Sequence, residues 1–480
     1  MGKIIYNKGF KDLIIKKTAA PTITFIEKSF DSITVTFTNN SSQEATISYG
    51  ISSPPNDDTI LLAAGATSDN VVIGGLDPET TYMIFASANG TPENLIESDI
   101  VSTAPITTDE ALEFGIQWSQ PTDTVTRLGD GIGLTAGSDF TALGDEGVWN
   151  LRRCMVNDDL SINYYIDPNE PTKIGEVVNP AFTIGDDADY TGGDGQVMVE
   201  IPKFYWKYEE PSSNLYQWWV SPAKTSGDYE VHPAFITDGV TKDFIYMSAF
   251  EATAETSTGT LRSVSVPQPL RSRSLLEFRS QAQARGTGWQ IQTYWATNAL
   301  QVLYSVEYAN FDSQTTIGLG RVNANIAIEI GQTISLGNTS GAASGTDGLV
   351  SISYRGVENF WGNVLKWVDG LNIQGSPREA FVANENFASN VFTGDYTSVG
   401  NIATSSGFVS NIQFPHFLAT AVSGSSTSHL HDTYFQSTGN RAAIFGGGWF
   451  SGLGAGVFRW DLDASASASG PAIGTRIQIL

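Results

Sequence analysis

Residues 355–375 read RGVENFWGNVLKWVDGLNIQG, with Phe360, Trp361 and Trp367 crowded around Gly362-Asn363-Val364. Phe360, Val364, Val368 and Leu371 recur at spacings of four, four and three. Trp and Phe bury large areas, so the stretch is expected to form a core cluster packed on two helices further upstream. A glycine weakens a regular element. Gly362-Asn363 therefore reads as a tight turn whose Asn side chain holds backbone.

The chain around it has 480 residues, long for one core and suited to two to four domains. It is 41% hydrophobic and 11% aromatic, the composition of a folded chain. Many short apolar runs are broken by Gly, Ser, Thr and Asn, which reads as mostly β with long loops. The net charge of -25 repels phosphate backbones and anionic membranes, so neither nucleic acid nor a membrane is an expected partner. The single cysteine, Cys154, excludes an intrachain disulfide and is expected to be a buried small hydrophobe. The opening MGKIIYNKGFKDLIIKK lacks the apolar core of a secretory signal, and no stretch of about 20 apolar residues appears. Assembly in a cytoplasm is expected.

Residues 1–17 carry five lysines against one Asp12 and read as a docking arm onto a partner or as a frayed terminus. Residues 18–107 alternate with period two in SITVTFTN, ATISYGI and NVVIGGL, the pattern of a small β-sandwich. Residues 108–265 are β-rich and aromatic, either a separate domain or part of the next. Within them residues 195–210 read as one strand with Pro202 at its middle, hence an edge or bulge. Residues 266–480 open with helical signals. Ser274 and Glu277 form a capping box, and Thr287-Gly288-Trp289-Gln290 reads as a second. After it Ile291, Trp295, Ala299, Val302 and Val306 mark one buried stripe. The Gly/Ser/Thr-rich residues 330–350 and 395–430 read as surface loops or loosely packed strands.

Leu76, Pro78, Thr80 and Tyr82 stand in an L-x-P-x-T-x-Y arrangement that resembles the fibronectin type III (Ig-like) domain. That resemblance implies a spacer whose Tyr hydrogen-bonds back to the preceding turn. The Trp289–Asn310 segment, Gly362-Asn363-Val364 with Trp367, GGGW at 446–449 and the closing Arg476 together resemble the C-type-lectin-like fold. That fold serves formylglycine-generating enzymes and the variable proteins of diversity-generating retroelements. Residues 112–480 also resemble tail or fibre proteins of phages of gut bacteria. The expected fold class is thus mainly β with an α+β C-terminal domain, a fibronectin type III-like sandwich followed by a C-type-lectin-like fold. The resemblance makes Trp367 and the Gly-Asn-Val turn scaffold, and puts ligands on the loops of the last segment.

That segment supplies the candidate ligand-binding residues Trp449, Phe450, Phe458, Trp460, Asp461 and Asp463. Aromatic faces on a Gly/Ser frame give contact area at little entropic cost, and sugars stack on them beside carboxylates. Burial of Trp449 and Trp460 stays open; Phe450, Asp461 and Asp463 are expected at the surface. His431 and Tyr434, in SHLHDTYF, join the set. His429 and His431 would share a face on a strand, with Asp432 on the other, a weak metal pattern; no cofactor is expected, calcium being the one considered.

An oxidase of the formylglycine-generating type needs thiolates in the last segment, and none is there. A glycoside hydrolase needs two placed carboxylates; Asp461/Asp463 and Glu358/Asp369 are candidates without spacing support. The expectation is therefore no enzyme. The chain reads as a virion fibre protein binding a bacterial surface receptor, a glycan before a protein, with residues 1–17 docking on other virion proteins and a trimer favoured. A capsid-decoration, head-fibre or injection-machine component is the alternative.

Overall fold

The computed structural model describes residues 16–55, 57–90, 95–144, 147–255 and 259–480. The expected docking arm lies outside them except for Lys16 and Lys17. The chain divides into two compact units, Met1–Ala111 with Ala223–Ser226, and Leu112–Pro222 with Gly227–Leu480. Its described elements make it a mainly β protein. Among the described residues no helix is long and apolar enough to cross a membrane.

In the first unit the period-two runs become strands. Ile33–Thr38 pairs with Thr22–Lys28 and Val71–Ile73, while Ala45–Gly50 pairs with Asp58–Leu62 and Phe85–Gly90. Alternation sends Ile33, Val35, Phe37 and Ile47 into one core. The Tyr82 hydroxyl accepts the Asp77 N–H at 2.9 Å, tying the strand to the turn before it.

The second unit is built on three sheets. A seven-stranded antiparallel sheet runs Ile174–Val177, Ile162–Ile166, Arg152–Val156, Gln196–Pro202, Phe244–Ser248, Ile477–Ile479, Trp289–Ile291. An eight-stranded sheet centres on Leu365–Gln374, Arg441–Phe445 and Trp460–Leu462. A five-stranded sheet includes Phe114–Ser119 and Leu215–Ser221. Arg152–Val156, Gln196–Pro202, Phe244–Ser248 and Ile477–Ile479 share one sheet, and Leu112–Pro222 and Gly227–Leu480 fall in one compact unit.

The helix Tyr294–Tyr308 packs against strands of both the five- and eight-stranded sheets. Every residue from Tyr294 to Glu307 is buried, so the expected single stripe is corrected to burial all round, as a helix enclosed by sheets requires. Arg127 donates to the carbonyls of Val306 (2.7 Å) and Glu307, placing positive charge at its C-terminal end.

The first capping box forms as read: Ser274 Oγ accepts the Glu277 N–H at 3.2 Å and Glu277 accepts the Ser274 N–H at 2.7 Å. The second does not. Trp289–Ile291 is a strand on the closing strand Ile477–Ile479, and the helix begins at Tyr294 behind its cap Thr293. A distant pairing partner has overridden local helix signals here. Residues 195–210 form two strands in different sheets, with Pro202 ending the first rather than bulging one. Within the Gly/Ser/Thr-rich runs Thr333, Phe417 and Leu418 are fully buried, so these runs are not wholly superficial. Cys154 is buried on its strand, and burial pushes its thiol well above the usual range.

Candidate functional site

The Gly-Asn-Val turn is fixed from below. Gly362 (φ +78) and Asn363 (φ 55) are left-handed, and a Cβ on Gly362 would lie 3.0 Å from the Arg321 backbone. Asn363 Oδ1 accepts the Ile328 N–H at 2.8 Å, and its amide nitrogen donates to Glu251. Glu251 also pairs with Lys366 at 3.1 Å, and both are wholly buried. Lys366 donates to the Gly362 carbonyl at 2.6 Å. Burial lowers the Lys366 ammonium to about 8, against the opposing pull of Glu251. Arg476 donates to the carbonyls of Ser248 (3.2 Å) and Glu358, and Glu358 accepts the N–H groups of Gly331 (2.8 Å) and Thr333 (2.6 Å). Trp361 and Trp367 are buried around this network, so the aromatic stretch is core.

The turn in turn carries a loop. Trp449 N–H donates to the Asn363 carbonyl at 2.9 Å, and Gly362 N–H to that of Gly446 at 3.3 Å. Ala324 N–H reaches the Trp449 carbonyl at 2.7 Å, Gly452 N–H that of Val322 at 3.0 Å, and Val322 N–H that of Gly348 at 2.8 Å. Arg321 donates to the carbonyls of Ile326 (2.9 Å) and Leu349. Loops 321–326, 347–349 and 448–454 are thereby stitched into one platform. Its apolar side chains stand out: Ile326 is 57% exposed, Phe450 and Leu453 56%, Leu349 43%. Half-buried Trp449 meets Phe450 edge-on at 5.7 Å, and the Arg271 guanidinium lies 5.5 Å from the Trp449 ring centre.

Of the residues picked from sequence, Trp449 and Phe450 belong to this platform, and Asp463 is exposed elsewhere on the last segment. Four others are corrected to buried. Trp460 lies on a strand flanked by two others, with its ring 5.0 Å from Phe445. Phe458 packs against Phe311 and Phe417. Tyr434 donates to the Ala403 carbonyl at 3.0 Å. Asp461, expected at the surface, is 6% exposed and ion-paired to Arg459 at 3.0 Å, while burial raises its carboxyl. Trp460, Asp461 and Leu462 are all buried, so residues of this strand face packing whichever way they point. The platform residues Ile326, Leu349, Leu453, Arg271 and Arg321 went unread, because lone apolar or basic residues among turn formers carry no periodic signal.

His429 and His431 do not sit on a strand. Both have φ 61 and precede the strand Thr433–Gln436. They line a small polar cavity with Asp123 and Asn310, and His431 Nδ1 lies 3.6 Å from Asp312. Asp432 is buried, accepts the Phe458 N–H at 2.7 Å, and is raised well above the carboxylate range by burial. Among the described residues no group of three or more His, Cys, Asp or Glu is arranged to hold a metal ion. Glu358 and Asp369, the paired carboxylates considered for hydrolysis, are buried; Asp369 is held by Arg279 at 2.6 Å.

No family profile and no curated protein matches the chain. Among solved structures it is similar to the Major Tropism Determinant U1 variant, at 14% identity and TM-score 0.25, over 72% of this chain and 73% of that one. The Major Tropism Determinant I1 variant gives 14% identity and TM-score 0.26 over 82% and 80%. Scores this low leave the two folds without an overall superposition, and fold likeness by itself assigns no function.

Proposed function

We propose that this chain is a receptor-binding protein of a phage fibre, and that it meets a bacterial surface glycan or protein through the platform of loops 321–326, 347–349 and 448–454. The observation that carries the reading is the set of large apolar side chains held exposed on loops bonded to a fully buried turn. Contiguous exposed apolar surface is costly unless something covers it, and it marks interaction sites. An edge-to-face Trp–Phe pair on a rigid base gives area with little ordering cost.

A C-type-lectin-like body is part of the same proposal. Its support is that the helix Tyr294–Tyr308, the Gly-Asn-Val turn, the 446–449 segment and Arg476 converge in one unit, as the sequence resemblance implies. The chain acts as a binder rather than an enzyme in this reading, since Asp461, Glu358 and Asp369 are buried and Glu358 and Asp369 are held in hydrogen bonds. A virion location, a trimer that adds weak sites by avidity, and docking through residues 1–17 complete it.

Adsorption of the purified 480-residue chain to a panel of bacterial strains tests the proposal. Saturable binding to particular strains, lost on Phe450→Ala with Leu453→Ala, is the expected result. Equal binding by that double variant would sink the platform assignment.

A further inference from the structure

Next to Arg271, whose guanidinium meets Trp449 of the platform, a groove of about 390 Å³ is walled by Pro267, Pro269 and Pro471, with Leu270 and Thr253 also lining it. That volume is within the ~300–1,000 Å³ of small-ligand clefts. Proline rings offer apolar C–H faces and no N–H donor. Arg271 is the one charged residue lining the groove among the described residues. One of its five donors is used, on the Pro471 carbonyl at 3.2 Å. Its guanidinium is steadied by the Trp449 ring, 5.5 Å away, which leaves the remaining edge for a ligand.

From this geometry we infer that the groove binds a carboxylated sugar, a uronic-acid unit of a surface polysaccharide, with the carboxylate on Arg271. The inference deepens, and rests on, the receptor-binding reading. A planar carboxylate matches a guanidinium fork in a two-bond pairing that a neutral sugar cannot make. The sugar's C–H face meets the proline walls. The chain's charge of -25 opposes this ligand at long range, but beyond a Debye length of about 10 Å at 0.1 M salt that repulsion is screened. Inside the groove only Arg271 is charged.

The test is calorimetric titration of the full chain with trigalacturonate, maltotriose and glycerol phosphate at physiological salt. Trigalacturonate should bind, maltotriose should not, and Arg271→Ala should weaken trigalacturonate at least tenfold with the melting temperature unchanged. Arg271→Gln should behave like the alanine variant. Equal binding by the Arg271 variants, equal binding of maltotriose, or tighter binding of glycerol phosphate would each overturn the inference. Adsorption to cells is read in parallel. No trigalacturonate binding with adsorption intact removes the groove and keeps the receptor reading. Trigalacturonate binding without adsorption to any strain keeps the groove and removes the receptor reading.

Discussion

Two glycine-and-tryptophan segments lie bonded side by side in the second unit, NFWGNV at 359–364 and GGWFSG at 447–452. Their compositions are close, yet the first is buried throughout and the second ends with Phe450 in solvent. The difference is in what lies beneath each. Asn363 and Lys366 close on Glu251, so the first segment is pinned to the interior by ionic and amide hydrogen bonds. The second hangs from the first by main-chain bonds alone, which fix its backbone and leave its side chains free to face outward. Aromatic content therefore does not tell a core from an exposed loop; the polar anchors do.

Removing an anchor should have the largest effect. Glu251→Ala strands the Lys366 charge in the interior and should cost about 3–5 kcal/mol in urea unfolding. A cost below 1 kcal/mol would mean the turn is not held this way. Trp367→Ala and Trp460→Ala should each open a core cavity at a similar cost, about 3–5 kcal/mol, and any loss of adsorption would follow from unfolding. A Trp460 variant that keeps its melting temperature yet loses adsorption would move the contact surface back onto that strand.

Acid sharpens the contrast from another side. Burial lowers the His232 imidazole to about 3, while its bond to Asn298 pulls the other way. Its Nδ1 accepts the Ala234 N–H at 3.2 Å and is thus unprotonated, with Nε2 facing Asn298 Oδ1 at 3.1 Å. Between pH 6.5 and about 3 the unfolded chain takes up a proton that the folded one does not. The stability held in the neutral imidazole is complete above pH 6.5 and falls on acidification, by about 1.4 kcal/mol per pH unit. His232→Asn should flatten stability between pH 6.5 and 4.5 by one proton's slope; an unchanged slope would show the imidazole is not held neutral. The smallest stability effect is expected for Phe450→Ala with Leu453→Ala, within about 0.5 kcal/mol. Adsorption should nevertheless drop at least tenfold, about 1.4 kcal/mol.

What could be read from sequence was what local chemistry determines. The Ser274 box needs only a hydroxyl and a carboxylate one turn apart, and the left-handed turn needs Gly and Asn at 362 and 363. The alternation of residues 32–39 likewise needs only one strand with one buried face. Trp289 was misread because its partner strand is at the far end of the chain. Phe458 was misread, and the burial of Trp460 left open, because aromatics on a Gly/Ala frame suit a core as well as a binding surface, and only the neighbouring strands decide. Ile326, Leu349 and Arg271 gather by loop-to-loop bonds that leave no spacing pattern.

The strand Ile477–Ile479 sits between Phe244–Ser248 and Trp289–Ile291, which do not pair with each other. On the ribosome those two strands must emerge and wait with open edges while the residues up to 479 are made. The second unit can close only once that strand has been made, so its nascent form depends on protection from edge-to-edge association. A message broken upstream of Arg476 would yield an adhesive fragment instead of a shortened version of the protein.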